Sequence, residues 1–203
     1  VTARLNEPFV KTFDEEKELA VMLLVDVSYS TFLGSTFQSK KEYVAELAAV
    51  LAFSAIGNND KVGLMLFSDK VEKYIAPQKG KQHVLRIIRE LLAFEPVSKK
   101  TDIGRAMNYF TNVWKKRSTV FVVSDFADDA YDKALKTTAK RHDVLAIRVQ
   151  DQMDRELPQV GTVTVRDMES GKLFKLDTTD KKVQIAHQEW VEEQDELYSS
   201  LLK

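Results

Sequence analysis

Six consecutive apolar residues, Ala20-Val21-Met22-Leu23-Leu24-Val25, give way without a break to Asp26-Val27-Ser28-Tyr29-Ser30. A strand with one wet face alternates apolar and polar side chains, so an unbroken apolar run demands cover on both faces. That demand selects a sheet sandwiched between helices, and the rest of the chain supplies them. Ser39 to Ile56 carries Tyr43, Val44, Leu47, Val50, Leu51 and Ala55 at helical spacing and stops at Gly57-Asn58-Asn59-Asp60. Lys61 to Phe67 and Val71 to Ile75 read as paired strands joined by a tight turn at Ser68-Asp69-Lys70. A helix over Lys81 to Phe94 ends at Glu95-Pro96, because proline disfavours helical geometry in the residue before it.

After a loop, a further helix holds Ile103, Ala106, Met107, Phe110 and Trp114, and a second β-branched run, Thr119 to Val123, closes at Ser124-Asp125. A helix near 129–141, a strand Val144 to Val149, a hairpin of Thr162 to Val165 with Lys172 to Leu176, and a helix near Thr179 to Leu202 complete the pattern. The last helix is expected to pack on the domain through Val183, Ala186, Trp190, Leu197 and Leu201. Strands alternating with helices imply right-handed crossovers. The expected class is therefore α/β: a doubly wound, mainly parallel sheet flanked by helices, with one antiparallel edge strand. At 203 residues the chain suits a single domain.

Bulk properties narrow the function. A formal net charge of −1 gives no electrostatic reason to invoke nucleic acid or an anionic membrane, and no run approaches a bilayer-spanning length. The absence of cysteine removes thiolate metal sites and fits a reducing compartment, so the cytoplasm is expected. None of the seven glycines builds a G-x-G-x-x-G turn or a G-x-x-x-x-G-K-[ST] loop, which disfavours nucleotide binding. His83, His142 and His187 lack H-E-x-x-H spacing and are expected at the surface or at helix caps. Lys115-Lys116-Arg117 falls at a helix C-terminus, where the dipole favours cations, and reads as a cap.

Ligands of open α/β sheets collect outside the carboxyl ends of the strands. Asp26, Ser28 and Ser30 lie at one such end, Asp125 at another, and Thr101-Asp102 opens a helix that can share their rim. Taken singly they have plainer roles: a polar turn at 26–30, an N-cap at Thr101, a helix-opening acid at Asp125. Taken together they offer three hydroxyls and two carboxylates with no nitrogen or sulfur, a donor set suited to Mg²⁺ (or Mn²⁺). Hydroxyls can ligate such an ion directly while the aspartates hold its waters. Two carboxylates only just balance the ion, so an open position favours a carboxylate from a partner.

The order D-x-S-x-S at 26–30, T-D at 101–102 and S-D at 124–125 resembles the metal-ion-dependent adhesion site of von Willebrand factor A domains. Across nearly its whole length the chain more narrowly resembles the MoxR-associated domain of unknown function 58 family. Segments 18–26, 60–69, 101–104 and 141–149 carry that likeness. The resemblance implies a metal site of Asp26, Ser28, Ser30, Thr101 and Asp125 in a non-catalytic protein-binding module. It implies as partner a MoxR-type AAA+ ATPase or its substrate, in chaperone-like assembly or activation. It also implies that residues 1–17 are an extended segment, the tail of a region upstream of this chain. The enzymatic alternative uses Asp26 as the nucleophile of a Mg²⁺-dependent phosphatase or phosphotransferase. Such enzymes usually place a second aspartate two residues on as general acid, where this chain has Ser28, a poor proton donor.

Overall fold

Val21, Leu23 and Val25 face one side of a central strand, Met22 and Leu24 the other, and all are closed off from solvent. The computed structural model describes residues 19–28, 40–95, 98, 100–128, 131–151, 155–166 and 172–200. Its elements are β1 (Ala20–Asp26), α1 (Lys40–Gly57), β2 (Lys61–Phe67), β3 (Val71–Gln78), α2 (Lys81–Ala93), α3 (Ile103–Val113), β4 (Thr119–Ser124), α4 (Asp132–Ala139), β5 (Asp143–Arg148), β6 (Thr162–Arg166), β7 (Leu173–Asp177) and α5 (Lys181–Ser200). The main sheet has the order β3-β2-β1-β4-β5, with β6 and β7 forming a separate hairpin. β1 pairs in parallel with both β2 and β4, β4 pairs in parallel with β5, and only β3 runs antiparallel, at the edge. The expected class therefore holds.

Side-chain alternation sorts the core into two layers. Val21, Leu23, Val25, Leu64 and Leu66 pack under α1 and α2 through Ala45, Ala48, Ala52, Val84, Ile87 and Leu91. Met22, Leu24, Met65, Phe67, Val120 and Val122 pack under α3 and α4 through Ile103, Met107, Phe110 and Leu135. Each fully buried large aliphatic side chain contributes roughly 1.5–3 kcal/mol of transfer free energy. The strand order reverses between β1 and β4, which opens a crevice at their carboxyl ends.

Three expectations need correction. β3 continues past Ile75 through Pro77 to Gln78, which an edge strand tolerates because it needs no second row of ladder bonds. Trp190 and Leu197 of α5 are 47% and 44% exposed rather than packed. That helix is held on the β5 edge through Arg148, which donates to Asp195 at 2.5 Å, and through Tyr198, whose hydroxyl donates to the Ala146 carbonyl at 3.0 Å and whose ring packs on the core beside Phe126. Nor are two of the histidines superficial. His83 is buried with its Nε2–H donating to the Val62 carbonyl at 2.9 Å, and His142 lies buried beside Ser118, with Nδ1 3.0 Å from the Ser118 hydroxyl. Lys115 does act as a cap, donating to the Thr111 carbonyl at 2.9 Å.

Burial, aided by the Arg141 charge, pushes the His142 imidazole below its ordinary value, against a smaller pull from Asp143. The unfolded chain therefore binds the proton more readily than the folded one. The resulting stability is present above about pH 6.5 and is lost as pH falls through the lowered folded value. Urea titrations at pH 7.5 and 5.0 should accordingly show a larger acid-induced loss in the wild type than in His142→Asn. Equal losses would remove the role assigned to this ring.

Candidate metal site

Asp26 is the last residue of β1 and shares the face of Met22 and Leu24, so its carboxylate enters the crevice from the side of α3 and α4. The register Val25 with Val123 places Asp26 beside Ser124, the last residue of β4. Asp26 is wholly buried, and each of its oxygens accepts a hydrogen bond. Oδ1 accepts the Ser28 backbone N–H at 2.8 Å, and Oδ2 accepts the Ser124 hydroxyl at 2.6 Å. The Thr101 hydroxyl reaches the same Oδ2 at 3.5 Å, the outer limit of a hydrogen bond. Beyond the strand, Val27 N–H donates to the Phe67 carbonyl at 2.8 Å, which holds the chain on course into buried Ser28.

Two further loops complete the rim. Asp102 caps α3, accepting from Arg105 N–H at 2.6 Å, while its own N–H donates to the Ser68 carbonyl at 3.0 Å. Asp128 accepts from Ile103 N–H at 2.9 Å, so one turn of helix is satisfied by side chains from two loops. Thr101 thereby directly precedes two anchored residues. After β4, Phe126 adopts φ 58, a left-handed conformation uncommon outside glycine and asparagine. Its N–H donates to the Ser124 hydroxyl at 3.1 Å, and its ring is buried against Tyr131 and Tyr198. Asp125, half-buried, turns back to accept from Ala127 N–H at 3.1 Å.

Burial pushes the Asp26 carboxyl from its ordinary 3.8 up to about 6, and the charge of nearby Asp125 adds to that rise. Hydrogen bonds from Ser124 and Ser28 hold it down in part. The structure thus brings together Asp26, Ser28, Thr101 and Asp125; Ser30 lies outside the described residues. Ser124 was not among the expected site residues, yet it makes the shortest bond to Asp26. Only the pairing register could have revealed it. Asp128, three residues after Asp125, caps α3.

A hard cation fits this donor set. Among the described residues no cluster of three or more His, Cys, Asp or Glu could hold an ion, so any metal here must use hydroxyls and water beside the two aspartates. Two carboxylates at one rim, one buried and raised by the other, gain most from a positive charge between them.

A doubly wound sheet whose central strand ends in Asp-x-Ser, facing Thr and Asp from neighbouring loops, has the arrangement on which the resemblance to von Willebrand factor A domains rests. The chain matches the family "Protein of unknown function DUF58" over residues 1–197, and it belongs to that family. It is 30% identical over 182 residues to an uncharacterized protein of Mycobacterium tuberculosis, covering 87% of this chain and 57% of that protein. An uncharacterized protein of Mycobacterium avium is 35% identical over 77 residues, 37% of this chain and 46% of that one. The chain thus spans little more than half the length of its first curated relatives. Among solved structures, an aerotolerance-related membrane protein from Bacteroides fragilis shares the fold at TM-score 0.60 and 18% identity, over 87% of each chain. BatB from Bacteroides thetaiotaomicron does so at 0.56 and 18%, over 88% of this chain and 99% of that one. No helix among the described residues is long and apolar enough to cross a membrane.

Proposed function

We propose that this domain is a metal-ion-dependent protein-binding module that captures an acidic residue of a partner. Ser28, Ser30 and Thr101 would offer hydroxyls to Mg²⁺ or Mn²⁺, with Asp26 and Asp125 acting mostly through bound water. The observation that carries this reading is the buried Asp26 carboxylate, held by the Ser28 N–H and the Ser124 hydroxyl within reach of Thr101. A bound divalent ion would supply an electrophilic docking point for a carboxylate. The protein's own part is to orient Asp26 through the Ser28 N–H and the Ser124 hydroxyl. The family resemblance points to a MoxR-type AAA+ ATPase or its substrate as partner, in the cytoplasm, in chaperone-like assembly or activation.

Binding rather than catalysis is supported by the residue two places after Asp26. A nucleophilic Asp26 would need a general acid two residues on, and Ser28, a poor proton donor, stands there. Turnover of a generic phosphate ester, dependent on Mg²⁺ and abolished by Asp26→Asn, would overturn this.

Thr101→Ala should weaken Mg²⁺ binding by about tenfold or more, as loss of a positioned group in a metal site commonly does. Its half-exposed side chain makes only a marginal hydrogen bond, so unfolding in chelator should shift by less than about 1 kcal/mol. Calorimetric Mg²⁺ titration and binding of a purified MoxR-type ATPase, each with and without chelator, test the pair of claims. Equal partner binding in Mg²⁺ and in chelator would sink the reading.

A further inference from the structure

A groove runs away from the metal-site rim between α3 and α4, lined by Asp102, Gly104, Arg105, Asn108, Lys133 and Thr137 with Ala134 in its floor. The two helices are joined deeper down by buried Thr111 and Thr138, whose hydroxyls lie 3.1 Å apart. The upper part is left open. It begins at Asp102, the residue next to Thr101, so the groove adjoins the rim.

The charges of the groove are unbalanced. Its single acid, Asp102, is committed to the N-terminus of α3 through Arg105 N–H. Arg105 is exposed, and its guanidinium donates through Nη1 to the Asp69 carbonyl at 3.1 Å, a neutral acceptor. Among the described residues it meets no carboxylate. Lys133 is exposed too, and its ammonium makes no hydrogen bond or ion pair among the described residues. On the same helix, Lys136 is neutralised by Asp132 at 2.9 Å. An arginine and a lysine that meet no carboxylate among the described residues thus lie beside the amide of Asn108.

We infer that the α3–α4 groove seats an acidic peptide segment of the partner, whose first carboxylate docks at the metal rim and whose second is read by Arg105 and Lys133. This rests on the metal-dependent reading proposed above. Spacing follows from helix geometry: Arg105 and Asn108 stand roughly 5 and 9 Å along α3 from its cap at Asp102, at about 1.5 Å per residue. An extended peptide advances about 7 Å over two residues and returns the side chain to the same face. The favoured partner sequence therefore has acids two apart, Glu-x-Glu or Asp-x-Asp. The groove acts on specificity, since a metal site alone accepts any exposed carboxylate.

Two peptides decide it, acetyl-Gly-Ser-Glu-Ser-Gly-amide and acetyl-Gly-Ser-Glu-Ser-Glu-Ser-Gly-amide, titrated into the 203-residue chain and followed by backbone amide NMR in Mg²⁺ and in chelator. In Mg²⁺ the doubly acidic peptide should bind about tenfold more tightly, with shifts extending from the rim to Asn108 and Thr137. Lys133→Glu should abolish that advantage and leave the singly acidic peptide unaffected. Arg105→Glu should do the same, and Lys133→Glu guards against any loosening of the β2–β3 turn that Arg105 contacts. Equal Mg²⁺-dependent affinity for both peptides, unchanged by either variant, would overturn the groove and leave the metal reading standing. Binding of the doubly acidic peptide that is equal in chelator would overturn both, as would failure of either peptide to bind.

Discussion

Asp26→Asn should make the metal-free protein more stable at pH 7.5 while abolishing its response to Mg²⁺. Burial, with Asp125 adding to it, raises the Asp26 carboxyl from 3.8 to about 6, so the folded state holds this proton more tightly than the unfolded one. Linkage then has a definite sign: the ionised carboxylate costs stability, and the loss develops as pH rises from about 4 to about 6. A rise of that size corresponds to about 3 kcal/mol at neutral pH, and full burial removes any discount for solvent screening. Asparagine keeps an acceptor for the Ser28 N–H and carries no charge. In chelator, urea unfolding should show the wild type losing stability between pH 4 and 6 by that amount relative to the variant, and the variant ahead at pH 7.5. Mg²⁺ should close the gap by stabilising the wild type alone. A variant less stable than the wild type in chelator at pH 7.5 would contradict the account.

The second large effect lies in the core. Gly63→Val should cost at least about 3 kcal/mol, and Gly63→Ala about 2 kcal/mol, within the range for forced overpacking. A Cβ at Gly63 would stand 2.5 Å from Met22 Sδ, 2.9 Å from the Ile75 carbonyl and 3.0 Å from Pro77 Cγ. The methionine tip can swing away, but the carbonyl belongs to the β3 ladder and cannot. Here the β2–β3 register also slips, between Val62 and Leu64, and glycine lets the irregular strands close up. Gly57→Ala supplies the control, since a Cβ there meets nothing within 4 Å. Urea midpoints should fall sharply for the Gly63 variants and stay level or rise for Gly57→Ala. A Gly63→Ala midpoint equal to wild type would mean that β3 does not lie where the structure puts it.

What could be read from the sequence depended on whether the signal was local. β1 and β4 are continuous apolar runs, and α1 to α3 carry apolar side chains at helical intervals; both patterns come from burial of the segment itself. Asp26, Thr101 and Asp125 were legible because each closes or opens such an element. The role of Ser124 was not, for it depends on which residue of β4 lies beside Asp26. Asp128 escaped for a similar reason: the left-handed Phe126 sends the chain back toward α3, and nothing in the local pattern announces that turn. With α5 the pattern misled, because counting apolar positions picked out Trp190 and Leu197, whereas Asp195 and Tyr198 anchor the helix.

The bond between Ser124 and Asp26 spans 98 residues of sequence, and Thr101 comes to Asp26 across 75. Closing loops of that length yields nothing until the parallel strands have found each other, so these contacts form late and together with the rest of the sheet. The rim then has no fragment precursor. A peptide holding only the Asp-x-Ser-x-Ser segment brings one carboxylate and two hydroxyls that water solvates equally well, and it should ignore Mg²⁺. In refolding experiments the recovery of Mg²⁺ binding should track the slowest phase of sheet assembly. A Mg²⁺ response at this rim would then be a reporter of folding, competent only once β1 and β4 are side by side.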